Sequence, residues 1–574
     1  MPLLTRRLLL ALPTLVLAAL VAWAAVALMV QGRHSAFDWL LCGLFLVVMA
    51  WESLVAVQVA LGFAAWARGP EGLSPLERQA LSIAPVRTGR SRTAIVIPIF
   101  DEDVGAVFAA IGIMRRSLIR IGPTDDIDIH VLSDSRDGPT ILAEEAAACR
   151  VIGDGPRVFY RRRETNEGRK AGNLAEFLER TRGRYDFMVV LDADSLMSGT
   201  TIRKLIRLME ENGRVALIQT ISFAANRFTL FARIQQFAVR LYAPLSLKGM
   251  AVWQDADGLY YGHNAIIRCE PFLEHARLPI LPGKPPLGGE ILCHDVVEAA
   301  LLRRAGWEVR VLPDLDGTWE EMPTNVVDLL GRERRWCQGN LQHLKVLAMP
   351  GLTPGTRINI ALGILGYLVG PFWWAFLILG AVRALAGGRE NLGVLAYGLA
   401  ETSSAASSLF LVSAFVVLLP RVLNFLRALL GSRERRGFGG TVRLVTSAIV
   451  EQLFSALLTP MLSLITLRFV AQTFRGVVVP WHSQSRADRD VGWREAVRIQ
   501  RLNLVVGAFL LVAALGTGGW YALWMLPTVL GLLLGPTLVV WSSRLDIGRA
   551  TQRAGLFVTV DETRPAVELR ELRA

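Results

Sequence analysis

In the stretch "FMVVLDADSLMSG", residues 187–199, the apolar run Phe187–Leu191 ends in two aspartates one residue apart, Asp192 and Asp194. A strand that reads as core has no packing reason to stop in two carboxylates. Hard oxygen donors so placed suit a divalent cation such as Mg²⁺ or Mn²⁺. The competing reading is that Asp194 or Ser195 caps the following helix. Neighbouring strand ends favour the metal. Asp101, Glu102 and Asp103 follow "TAIVIPI" at 93–99, and Asp134 follows "IDIHVLS" at 127–133. "RVFY" at 157–160 leads into "RRRETNEGRKAGN", with Lys170 and Asn173. Acids that hold a metal, beside bases that hold the remaining charge, suit a metal-bound diphosphate.

Two later stretches add chemistry. "ILCHDVVEAALLRRAGW" (291–307) puts His294 and Asp295 just before an amphipathic helix, where Asp295 reads either as a functional acid or as an N-cap. "GRERRWCQGN" (331–340) sets Arg332, Arg334, Arg335 and Trp336 before another helix, and reads equally as a basic membrane-flanking segment.

Positioning these groups requires a scaffold. The β-branched runs, with "VALIQTI" at 215–221, alternate with helical patterns at 104–119 and 139–150. That alternation predicts a mostly parallel α/β sheet, which binds ligands beyond the carboxyl ends of its strands. No GxGxxG follows the first strand and no GxxxxGK[ST] occurs, so neither a dinucleotide fold nor a P-loop is indicated.

The 574 residues are 52% hydrophobic and 20% charged, which is too apolar for an ordinary soluble enzyme and too charged for membrane helices alone. Uncharged runs at Leu8–Val30, Ile358–Val382 and Leu502–Ser543 (two spans about a "GTGG" turn) are long enough to cross a bilayer. Trp39–Trp66, carrying Glu52, and Thr402–Pro420 are further spans. The expected plan is two spans in 1–66, an α/β domain in 67–357, spans three and four in 358–420, loops in 421–501, the last two spans in 502–543 and a tail in 544–574. The first run exceeds a signal-peptide core and reads as a retained anchor. Arginine-rich flanks account for much of the formal charge of +12, so nucleic acid is not implied and anionic lipid is the expected contact. They place both termini and the domain in the cytosol, where five cysteines without a CxxC pair stay reduced. The stretch 444–474 carries Glu451, Arg468 and Pro460, and reads as a broken helix at the membrane interface. That gives six spans; a tight pair of short spans there would give eight.

In order, Asp134, Asp192-Ala-Asp194, Cys293-His294-Asp295 and Arg332–Trp336 resemble the motifs of family 2 glycosyltransferases of the cellulose synthase type. TED has become CHD, and the Gln of QxxRW has become Arg332. With "IPIFDED", "VLSDS", "FYRRR", "YYGHNAIIR" and "VEQLFSALLTPML", the pattern is similar to one branch, glucosyltransferase H of osmoregulated periplasmic glucan synthesis. The resemblance runs from about residue 90 through 350. It implies a glycosyltransferase A-type domain between membrane helices, without the long N-terminal extension of some members. It further implies transfer of glucose from UDP-glucose to a β-1,2-linked glucan acceptor, extrusion of the glucan, and acyl carrier protein as a partner. Under it, Glu102, Asp134, Lys170 and Arg335 bind the donor, and Asp192 and Asp194 hold Mg²⁺ or Mn²⁺. Asp295 is the general base. Trp336, with Gly262, His263 and Asn264, meets the acceptor. A single base without a carboxylate nucleophile implies inversion.

The alternatives are a synthase of cellulose, mannan or hyaluronan, and a transporter or receptor that only binds nucleotide sugar, for which Glu52 is the favouring feature. "RGVVVPWHSQSRADRD" (475–490) occupies the place of a loop that closes over the donor in cellulose synthases; Arg475, Trp481, His482, Arg486 and Arg489 would serve it, or else touch anionic lipid.

Overall fold

The structure is a computed structural model that describes residues 3–30, 35–86, 91–151, 154–387, 404–479, 488–517 and 519–573. Its central sheet has seven strands: β1 Thr93–Ile99, β2 Ile127–Ser133, β3 Arg157–Arg162, β4 Phe187–Val190, β6 Val215–Thr220, β8 Ala265–Arg268 and β9 Glu308–Leu312. The order is β3-β2-β1-β4-β8-β6-β9. β8 runs antiparallel to both neighbours and every other pairing is parallel. β5 Leu196–Met197, β7 Phe223–Ala224 and β10 Thr318–Glu320 form a small second sheet in the order β5-β10-β7.

Side chains alternate across a strand, so a sheet covered on both faces needs a continuous apolar run. In β1, Ile95, Ile97 and Ile99 pack on one face against Ile111, Met114 and Leu118 of the helix Val104–Ile121. Ala94 and Val96 pack on the other against Leu174, Phe177 and Leu178 of the helix Arg169–Arg180. Asp103 caps the first of these helices, its side chain accepting from Ala106 N.

The ends of the membrane helices show which side each lies on. Arg6, at the start of the helix Leu3–Val30, donates to Asp255 at 2.9 Å, and Arg7 pairs with Asp257. Both acids belong to the α/β domain, so the start of the first helix and the domain share a side. The last thirty residues fold back on the same domain. Asp561 accepts two 2.7 Å bonds from Arg240, and Glu562 pairs with Arg233 at 2.8 Å. Both arginines lie on the helix Leu230–Gln254 and are buried.

The stretch expected to be broken is one helix, Thr441–Phe474, continuous through Pro460. A proline inside a helix costs about 3 kcal/mol, and packing on both flanks outweighs it here. Leu444 and Ala448 meet Ile234 and Phe237 of the domain; Leu458, Met461 and Ile465 meet Val326 and Leu330; Val470 meets Cys337 and Leu341. Beyond its end, Val479 N donates to Gln338 Oε1 at 2.9 Å, and Arg489 pairs with Asp328 at 3.2 Å. Both ends therefore lie beside the domain. It is long and apolar enough to cross a membrane, as are five other described helices. The pair Ala522–Leu533 and Gly535–Ser542, bent by 55°, adds a seventh candidate among the described residues if it crosses as one span. Two arginines read as loop residues, Arg421 and Arg427, belong instead to the helix Ser404–Leu430.

Candidate active site

Strand ends and two long helices converge on a cavity of about 1130 Å³ lined by Glu102, Asp134, Lys170, Asp192, Asp194, His263, Asp295, Arg335 and Trp336. Every predicted site residue except Asn264 lies on its wall.

At the end of β2, Asp134 is bound through both oxygens to Arg163, at 2.6 and 2.7 Å, and both residues are buried. Arg163 also donates to the carbonyls of Glu167 and Arg169, which fixes the loop leading to Lys170. Sequence reasoning passed over Arg163 because it stands in a run of three arginines. Asp101 ties the first two strand ends together: its N–H donates to Ser135 Oγ, and its carboxylate accepts from Arg136 N and Asp137 N.

Asp192 pairs with Lys170 and donates its N–H to Ser195 Oγ at 3.0 Å. The next helix, Gly199–Glu211, is capped by Ser198. Neither Asp194 nor Ser195 is a cap, which removes the bland reading of the two aspartates. Among the described residues no group of three His, Cys, Asp or Glu could hold a metal alone. Two carboxylates facing an open cavity fit a cation that completes its shell with phosphate oxygens and water, as Mg²⁺ does.

Asp295 lies in the first turn of the helix His294–Arg304; the capping position is Cys293, and no side chain caps it. Gly262, at φ 86°, lets the chain pass close by: a β-carbon there would sit 3.4 Å from Asp295 Oδ2. Burial opposes charge on His294, yet Glu298 at 2.9 Å, with Asp295, carries its pKa above the ordinary value. Burial, with the charge of Asp295, pushes the Tyr261 phenol up, so it stays neutral.

The basic motif lies inside a helix, Val326–Leu347, rather than before one. The helix starts about two turns before Arg332, where Asn325 caps it by accepting from Asp328 N. Within it the Arg332 guanidinium sits 4.5 Å from the Trp336 ring centroid. This helix holds the segment before Asp295 directly. Leu292 N donates to Gln342 Oε1 at 3.0 Å, and His343 Nε2 lies 2.9 Å from the Cys293 carbonyl. Burial keeps His343 below its ordinary pKa, hence neutral, and Nε2–H is then the donor.

Glu320, in β10, was not foreseen; a three-residue strand is too short for any periodic signal. It faces the cavity 3.3 Å from His263 Nε2. Burial, helped by the charge of Asp194, holds its pKa above the ordinary value, against the pull of His263, a hydrogen bond with Ser222 and Arg332. Asn264 is fully buried, and neither polar atom of its side chain has a partner. In the loop 475–490, Trp481, His482 and Arg486 lie outside the described residues.

Residues 94–275 match the family described as glycosyl transferase family 2, and residues 187–419 the one described as glycosyl transferase family group 2. Among curated proteins, the chain is 40% identical over 575 residues to a glucans biosynthesis glucosyltransferase H of Ralstonia nicotianae, covering 96% of this chain and 65% of that one. It is 36% identical to the protein of that name from Xanthomonas campestris pv. campestris, covering 98% and 88%. The chain thus spans less than two thirds of the Ralstonia protein and most of the Xanthomonas one. A solved mannosyltransferase from Pyrobaculum calidifontis, in complex with GDP-Man and Mn²⁺, is 16% identical at a TM-score of 0.40, covering 66% of this chain and 98% of that one, a likeness too distant to bear on substrate or metal. A family 2 domain joined to helices long and apolar enough to cross a membrane, and more than a third of residues shared with the Xanthomonas protein along most of its length, leave one assignment: the chain belongs to the glucans biosynthesis glucosyltransferase H family of glycosyltransferases.

Proposed function

We propose that the chain transfers glucose from UDP-glucose, with inversion, to a growing β-1,2-linked glucan and passes the product across the bacterial inner membrane to the periplasm. The observation that carries the reaction is the convergence of Asp192, Asp194, Asp295, Arg335 and Trp336 on one cavity. Family membership supports the substrate and the linkage. Residues Glu102, Asp134 and Lys170 line the donor side; Asp134 acts largely by holding Arg163 and its loop. Asp295 takes the proton of the acceptor hydroxyl. The hydroxyl oxygen bonds to the anomeric carbon while the bond from that carbon to the diphosphate breaks, and UDP leaves with the electron pair. Arg335 neutralises charge on the departing diphosphate, and Trp336 stacks on the acceptor sugar, with His263 beside it, while Asn264 lies buried behind the cavity wall. A cation held by Asp192 and Asp194, Mg²⁺ or Mn²⁺, would stabilise the same departing charge.

Cytosolic placement of the domain rests on the arginines that share its side of the bundle and on cysteines that are free among the described residues. Acyl carrier protein as a partner rests on family resemblance alone. Purified protein should release UDP from UDP-glucose with Mg²⁺ and form glucan of one linkage type. UDP-glucose binding without any UDP release would reduce the protein to a binder.

A further inference from the structure

Glu320 has no part in the reaction as described, and the small sheet explains its position. Thr318 pairs with Met197 and Trp319 with Leu196 in the antiparallel pair of β10 and β5, which brings Glu320 level with Ser195 and beside Asp194. Its side chain keeps 26% of its exposure and opens on the cavity. His263 steadies it. The His263 Nδ1 is buried without a partner, and Nε2 is the ring nitrogen that faces Glu320 Oε2, at 3.3 Å.

The loop that carries His263 is built and strained. Gly262 and Asn264 both have positive φ, 86° and 51°. Gln219 fastens the loop: its Oε1 accepts from Tyr261 N at 2.8 Å and its Nε2 donates to the His263 carbonyl at 2.9 Å. A non-glycine residue held so costs about 1–3 kcal/mol, and such strain gathers at ligand sites. The loop abuts Asp295 through Gly262. Glu320 therefore meets, through His263, the loop that abuts the base, and feels the charge of Asp194 on the other side. A carboxylate there repels a diphosphate, but it accepts readily from the neutral hydroxyls of a sugar.

We propose that Glu320 is a specificity-determining residue: its carboxylate, oriented by His263, binds a ring hydroxyl of the acceptor sugar and thereby decides which hydroxyl faces Asp295. The inference rests on Asp295 being the base. In the full-length protein, Glu320→Gln keeps the shape but weakens acceptance of both hydrogen bonds. It should leave UDP-glucose binding, and UDP release to water without acceptor, within about threefold, while transfer to glucan falls about tenfold to a hundredfold, the scale of a lost charged hydrogen bond. The acceptor KM should rise and minor linkages should appear. Glu320→Asp, which keeps the charge but withdraws the carboxylate by one methylene, should raise the acceptor KM and bring minor linkages, and decides the matter if Glu320→Gln does not fold. An equal fall in water-directed and glucan-directed turnover would overturn the proposal and move Glu320 to the donor, as would unchanged transfer and linkage. Full transfer by Asp295→Asn would sink the base instead, while a linkage change in Glu320→Gln could still appear.

Discussion

Gly339 fixes the distance between the base and the basic motif, and replacing it tests that coupling. It lies one turn beyond Arg335 and Trp336, where the Val326–Leu347 helix touches the segment before Asp295. A β-carbon at Gly339 would sit 2.9 Å from the Cys293 nitrogen and 3.0 Å from its β-carbon, and closer still to its sulfur. Ordinary contact begins at 3.4 Å, so the backbone alone is short by 3.4 − 2.9 = 0.5 Å before the sulfur is counted. Catalytic groups tolerate about 0.5 Å of displacement, and a 1 Å error costs about a hundredfold in rate. Gly339→Ala should therefore lower glucosyl transfer about tenfold to a hundredfold, with an overpacking cost of about 1–3 kcal/mol in stability. Adding Cys293→Ala removes the sulfur but not the backbone clash, so the double variant should recover part of the loss. Transfer from UDP-glucose and thermal midpoints, measured on all four proteins, complete the cycle. Transfer within threefold of the parent by Gly339→Ala, or no recovery in the double variant, would refute the coupling.

Asp194→Asn should abolish transfer without unfolding the protein, and chelator should silence the parent until Mg²⁺ or Mn²⁺ is restored; full activity in chelator would remove the metal. Asp561→Ala leaves Arg240 buried without its bidentate partner and takes the acceptor from Trp319 Nε1, so thermal melting should reveal a loss of about 3–5 kcal/mol. Burial pushes His130 down to about 4 despite the nearby Asp128 carboxylate. It is neutral when folded but charges below about 6.5 when unfolded, so its stabilisation is full above that pH and is lost as pH falls toward 4, by up to about 3 kcal/mol. Melting against pH should show that slope, and His130→Phe should flatten it.

Much of the scaffold was legible because it obeys simple periods. Five strands and the helices at 104–119 and 139–150 were read nearly to their ends, since buried parallel strands are continuous β-branched runs and their helices carry caps. β8 has four residues beside a Gly–His–Asn turn, and β5, β7 and β10 have two or three, so none fills a periodic window. Glu320 was hidden for that reason. Arg163 and Asp561 were hidden for another: their importance lies in a partner distant in sequence, Asp134 or Arg240, and charge complementarity at that range leaves no local mark. Pro460 misled because its cost is local whereas the packing that offsets it comes from the domain on one side and the membrane helices on the other.

The central claim is that Asp295 serves as base in an inverting transfer from UDP-glucose. The measurement that meets it most directly is the NMR anomeric configuration of the glucan made by the purified protein and by Asp295→Asn, with UDP-glucose binding measured on both. The account predicts β-linked product from the parent, and from the variant normal donor binding with no product. An α-linked product, or transfer by the variant at the parental rate, would contradict it.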